Sequence, residues 1–109
     1  MVRSFTLAAT GSTGRGYGSV ILDLDAKKGA VVVRHLPALA PEQVYRLWAR
    51  VGKIDVPCGD FVASADGGVS APFPVPVESY TAPITGLFVT VESRSASGGP
   101  TGPTVLAST

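Results

Sequence analysis

The sequence predicts an all-β fold, a β-sandwich of about seven to eight short, mostly antiparallel strands with immunoglobulin-like architecture. Three observations carry this expectation. Thirteen Gly and nine Pro make up a fifth of the 109 residues, against a usual share of about 12%, so the chain turns often. Fifteen Val and nine Thr supply β-branched side chains suited to a pleated surface. Apolar and polar residues alternate with period two in several strand-length runs separated by turn signals. The length fits a single domain over residues 1–109 with one core. At 45% hydrophobic and 16% charged, the composition is the opposite of a disordered chain's.

Taken in order, Ser4–Ala9 places Phe5 and Leu7 on one face and reads as a first strand. The Gly-rich stretch 10–16 is a loop. From Tyr17 to Asp25, Val20, Leu22 and Leu24 point one way while Ile21, Asp23 and Asp25 point the other. A polar turn over Ala26–Gly29 then closes a hairpin with Ala30–Leu36. Pro37 and Pro41 break the ladder, because proline lacks an N–H and restrains its predecessor. Pro41–Lys53 is ambiguous: Val44, Leu47, Trp48 and Val51 recur at helical spacing, yet Tyr45, Leu47, Ala49 and Val51 share one face of a strand. The all-β surroundings decide for a strand. Val56–Ala65 is next and ends at the turn signal Ser64–Gly68. Val69–Val77 carries Pro72, Pro74 and Pro76, which restricts it to an edge strand or an extended connection. Tyr80–Pro83 leads into a strand over Leu87–Glu92. Arg94–Pro103 is a Gly/Ser/Pro loop, and Thr104–Ala107 is a last short strand.

The charge of +1, without a block of one sign, gives no footprint for nucleic acid. One Cys and one His exclude an internal disulfide, a Cys/His zinc site and a blue-copper centre. The one Met is Met1, so no groove is lined by Met. No apolar run approaches the roughly 20 residues of a membrane span, and Met1–Thr10 has no apolar core of a signal peptide. The sequence therefore reads as a soluble chain.

Candidate sites are few. Gly11–Gly16 contains Gly-x-x-Gly-x-Gly, but a phosphate loop needs a helix N-terminus behind it, and here a strand follows with no Walker lysine. His35 has no second His and no adjacent nucleophile, so it reads as a solvated side chain near a strand end. Cys58 reads as a small half-buried residue, since apolar neighbours do not activate a thiol. The carboxylates are Asp23, Asp25, Glu42, Asp55, Asp60, Asp66, Glu78 and Glu92. Asp23 and Asp25 share a strand face, but nothing nearby completes the six to eight oxygens of a calcium site. Asp66-Gly67 is explained by the turn it closes. Arg46 and Arg50 flank Trp48, and packing around a core Trp accounts for them. No catalytic, cofactor-binding or metal-binding residue is assigned, no cofactor is expected, and the ligand-binding residues are unknown. A small hydrolase built on His35 is the weakest functional class.

Several stretches occur in the order found in the C-terminal domain of anti-sigma-K factor (RskA-type) proteins. They are Gly18–Asp23, Gly29–Leu39, Val44–Ala49, Cys58–Phe61, Ala65–Val69, Leu87–Glu92 and Ser97–Ala107. The most specific are Tyr45–Trp48 (Tyr-x-Leu-Trp) and the pairing of Val89–Glu92 with Gly98–Pro103. The chain resembles that family over residues 18–107. The resemblance implies an extracytoplasmic β-sandwich, joined by one membrane span to a cytoplasmic segment that holds a sigma factor until regulated proteolysis frees it. It implies no catalytic residues and favours a strand within 41–53. This chain shows neither the sigma-binding segment nor the span, so it is expected to be a piece or stand-alone relative of a longer membrane-tethered protein. A sigma factor is then a partner only through a segment absent from this chain, with an envelope protein or a protease as further partners. The role implied is non-catalytic regulation or sensing. The alternative is a free-standing binding module that holds an envelope ligand or protein through the Gly-rich loop and the Gly98–Pro103 loop.

Overall fold

A computed structural model of the chain describes residues 2–11, 15–64, 67–75 and 83–108. They form eight strands and no helix: β1 (Val2–Ala9), β2 (Tyr17–Asp23), β3 (Lys28–Arg34), β4 (Gln43–Val51), β5 (Ile54–Phe61), β6 (Val69–Pro74), β7 (Ile84–Ser93) and β8 (Thr104–Ser108). All pair antiparallel in one sheet of order β5-β4-β7-β8-β1-β2-β3-β6. The sheet doubles over so that its edge strands β5 and β6 approach each other. The two layers of the expected sandwich are thus one nearly closed sheet, linked through β7, β8 and β1.

The ambiguous segment is strand β4. Its strand reading puts Tyr45, Leu47, Ala49 and Val51 into the enclosed core with Leu7, Val20, Leu22, Val31, Val33, Val89 and Leu106. A helix would have had to turn the second apolar set, Val44 and Trp48, toward the same core. Instead both lie buried on the outside of the sheet. The expected hairpin is β2–β3, with Leu24–Lys27 as its turn. The proline-rich strand is β6, at the sheet edge as its missing N–H groups require. Pro76, Glu78 and the expected lead-in at Tyr80–Thr81 fall outside the described residues, as do Ser12–Gly14 and Ala65–Asp66.

Two register shifts explain residues whose spacing defeats simple alternation. Val56 and Phe61 are five apart, an odd separation, yet both are buried. Leu47 pairs with Gly59 and Trp48 with Pro57, so Cys58 is the extra residue of a bulge that restores the inward phase. Ile84 and Leu87 pose the same problem. Arg50 pairs with Gly86 and Val51 with Ile84, leaving Thr85 as the extra residue.

Because neighbours are antiparallel, the ends of β1, β3, β5 and β7 and the starts of β2, β4, β6 and β8 gather at one end of the barrel, here called the apex. The turns 24–27 and 52–53, the end of β6 and the start of β7 lie at the opposite end, the base. Val2 and Ser108 also lie at the base.

Candidate functional site

The apex is the candidate site, and its most elaborate part is the loop 94–103. This segment straps across the outer side of β4 and β7, where it meets Arg46 and Glu92. On the same outward face Trp48 is fully buried and stacks on Phe88 with ring centroids 6.3 Å apart and planes inclined by 12°. Trp48 Nε1–H donates to Thr90 Oγ1 (2.8 Å), and that hydroxyl donates to Glu92 Oε2 (2.6 Å). Trp48, Thr90 and Glu92 line up because the period-two spacing of β7 and its pairing with β4 put Phe88, Thr90 and Glu92 beside Trp48 and Arg46.

Glu92 is the anchor of the strap. Its carboxylate accepts from Thr101 N–H (3.3 and 3.2 Å to the two oxygens), Thr101 Oγ1–H (2.7 Å) and Gly102 N–H (3.1 Å). Burial pushes its pKa up, but the hydrogen bonds from Thr90, Thr101 and Gly102 outweigh this and hold the carboxyl below its ordinary value. Gly102 is obligatory for steric reasons: a Cβ there would sit 1.6 Å from Val91 O. Val91 N–H donates to Pro103 O (3.1 Å), closing the strap at its second end.

At its first end, Arg94 N–H donates to Glu42 O (2.8 Å), and Arg94 Nε–H donates to Pro41 O (2.7 Å). Arg46 joins strap to sheet. Its guanidinium holds Asp60 with two bonds (Nε to Oδ1 2.6 Å, Nη2 to Oδ2 3.0 Å) and gives a third to Ala96 O (3.0 Å). The Asp60 hydrogen bond raises the Arg46 pKa further, against a smaller opposing effect of burial. Among the described residues no buried side-chain nitrogen or oxygen lacks a hydrogen-bond partner. The inward side of the strap is therefore a structural lock with its polar groups consumed. At its tip, a Cβ on Gly98 or Gly99 would meet nothing within 4 Å.

The other apex loops are tied differently. His35 takes a left-handed backbone (φ +62°), as does Gly67 (φ +82°). Leu36 N–H donates to Gly67 O (2.9 Å), joining loop 35–42 to loop 62–68. Leu36 turns inward and plugs the barrel end, while Tyr45 Oη–H donates to Pro37 O (2.5 Å). Outside the plug, exposed Tyr17 and His35 lie with rings 5.6 Å apart. Arg34, Val62, Ala63, Ser64, Gly68, Val69 and Ser70 line an open hollow of about 600 Å³ beside them.

Of the residues weighed from sequence, Trp48 is buried but outside the enclosed core, and Arg46, on the same outward face, holds Asp60 and the strap. Arg50 lies over the Phe88 ring, 5.0 Å from its centroid, and donates to Asp55 (3.0 Å). Asp23 accepts from Ala26 N–H and serves the β2–β3 turn. Cys58 is buried, deeper than the half-buried position expected, because the bulge turns it inward. Gly11 and Gly16 flank the part of the Gly-rich loop outside the described residues. Asp66 also falls outside them. Among the described residues no three His, Cys, Asp or Glu side chains are grouped to hold a metal ion. Sequence reasoning placed Glu92 in a carboxylate inventory without a role. The signal available was Thr90-x-Glu92 followed by Thr101-Gly102, a pattern that says little until β7 and the strap are brought together.

The family described as anti-sigma-K factor rskA, C-terminal, matches residues 3–105. No curated protein and no solved structure matches the chain.

Proposed function

Because the chain belongs to the anti-sigma-K factor C-terminal family, we propose that it is the non-catalytic regulatory domain of an anti-sigma factor, placed on the extracytoplasmic side of the membrane. The match over residues 3–105 is the observation that carries this reading. The geometry supports it in two ways. The buried polar groups of the apex satisfy one another and build a rigid scaffold with four loops at one end, the arrangement in which loops commonly bind partners. A segment preceding β1 would enter at the base, so a tether there turns the apex away from the membrane. The apex then docks or senses, and the sigma factor is held through a different segment of the protein. A protease or another envelope protein is the natural partner of such a surface.

Two measurements test the reading together. An antibody to this domain should detect a membrane-fraction protein whose epitope is destroyed by protease added outside intact cells. Deleting the domain from the native protein should change transcription from promoters of the cognate sigma factor. A soluble, protease-protected protein whose loss leaves transcription unchanged would overturn the proposal. A second reading, a binding module independent of any sigma factor, is favoured by the exposed Tyr17, Arg34 and His35 beside the hollow. A ligand-dependent rise in Tm without an effect on transcription would select it.

A further inference from the structure

We propose that Tyr17, Arg34 and His35 form a recognition site for an acidic saccharide, a sugar ring bearing a carboxylate. The starting point is a break in alternation at the end of β3. Val33 points into the core and Arg34 points out, so an unbroken strand would bury residue 35. The left-handed backbone of His35 shifts the phase: Arg34 and His35 are both exposed, and Leu36 takes the inward position. That conformation costs a non-glycine residue about 1 kcal/mol and persists only where the surroundings enforce it. Here the enforcement is the Leu36–Gly67 hydrogen bond, with Gly67 so close that a Cβ on it would lie 3.2 Å from His35 Cα.

The strained turn thus presents two cationic or polar side chains side by side. Tyr17 pairs with Arg34 across β2–β3 and meets the His35 ring. Among the described residues Arg34 has no carboxylate partner. Its Nη1 donates to Val33 O (3.0 Å), and the rest of its fork is open to the hollow it lines. Asp23, on the same hairpin, sits at the base, six residues along β2, about 20 Å away.

The chemistry of these groups defines the ligand. A guanidinium recognises a carboxylate through a planar two-bond fork. A half-exposed tyrosine ring offers an apolar platform to the C–H face of a pyranose. Ser70 lines the hollow with Arg34 and supplies a hydroxyl for sugar hydroxyls. Arg34 stands between Tyr17 on one side and, on the other, the open hollow of about 600 Å³ that it lines with Ser64 and Ser70. An acidic peptide fits less well, because extended peptides bind by adding to a sheet edge, and β6 offers Pro72 and Pro74 there, without N–H donors.

The inference deepens the docking role proposed for the apex. Its test needs no sigma factor, so failure here would leave the regulatory reading standing. Trigalacturonic acid is titrated into the labelled full chain while backbone amide shifts are followed, alongside its methyl ester and an oligoglutamate. Shifts should concentrate at Tyr17, Arg34, His35 and Ser70. R34Q should weaken binding by about tenfold or more, Y17A should weaken it severalfold, and R50Q at the base should leave it unchanged. Equal binding of the ester, undiminished binding by R34Q, or no shifts at millimolar ligand would overturn the assignment. Tighter binding of oligoglutamate would replace the saccharide with an acidic peptide.

Discussion

The two outer faces of this sheet are built from the same strand geometry and end in opposite states. On β4 and β7 the outward residues Arg46, Trp48, Phe88, Thr90 and Glu92 are all buried, and Arg46 and Glu92 hold the strap 94–103. On β1, β2, β3 and β6 the two central outward rows are Ser4–Ile21–Ala30–Pro72 and Thr6–Ser19–Val32–Ser70. These are small or uncharged and largely open to solvent, with Ile21 half exposed. The first face spends large and charged side chains on holding a loop; the second holds nothing. The difference teaches that chemically conspicuous residues here mark architecture. The recognition site proposed above lies at the modest corner where the open face meets the apex.

Removing the centre of the covered face should have the largest effect. Trp48→Ala deletes the stacked ring, empties a site with no solvent access and leaves Thr90 without its indole donor. A loss of about 3–5 kcal/mol is expected in chemical denaturation, a large share of the roughly 5–15 kcal/mol typical of a domain. A loss below about 1 kcal/mol would mean that the strap is loosely seated and Trp48 is partly hydrated.

Gly102→Ala probes the strap without touching the sheet. Its Cβ would collide with Val91 O at 1.6 Å, so the strap must lift and forfeit its bonds to Glu92. The expected cost is about 2–4 kcal/mol, accompanied by a red shift of Trp48 fluorescence as water reaches the indole. Gly98→Ala, at the open tip but with φ +99°, should cost about 1 kcal/mol from backbone strain alone and leave the emission unchanged.

Glu92 sharpens the comparison by adding pH. Its carboxyl is depressed in the folded state, so the stability it confers is fully present above its unfolded value of about 4.3. That contribution is lost as pH falls through the lower folded value. Melting followed from neutral pH down to about pH 3 should therefore show an acid loss below about pH 4 that Glu92→Gln lacks. The variant itself should be less stable by about 2 kcal/mol at neutral pH, because an amide faces four donors with one acceptor oxygen. An acid profile identical in both proteins would assign the loss to other carboxylates.

How far the sequence could reach follows the same division. The open hairpin was legible because Val20, Leu22 and Ile21 separate cleanly into inward and outward, and Pro72 and Pro74 fixed β6 as an edge. The covered face was not. Every β4 residue from Val44 to Ala49 is buried, so burial on both sides erased the alternation and let Trp48 mimic a helical stripe. Bulges at Cys58 and Thr85 hid the inward phase of β5 and β7 in the same way. The strap's anchoring was out of reach for a different reason. Glu92 meets Thr101 and Gly102 only after a loop of ten residues has closed back on itself, and no local pattern encodes that closure.

The smallest expected effect belongs to the open face, and it is the one that separates architecture from recognition most directly. Ile21→Ser removes the largest apolar side chain of that face, yet its neighbours Ser4 and Ala30 bury little of it. Tyr17→Ala removes an exposed ring that meets the His35 ring. Each change should move stability by no more than about 0.5–1 kcal/mol. The two should add, since Tyr17 and Ile21 are four residues and about 13 Å apart on one strand. A double variant that keeps its Tm but loses regulation in the native protein would place recognition on this face. One that loses Tm by several degrees would show that the open face is covered in the folded molecule after all, and that the contrast with the strapped face is one of partner rather than of kind.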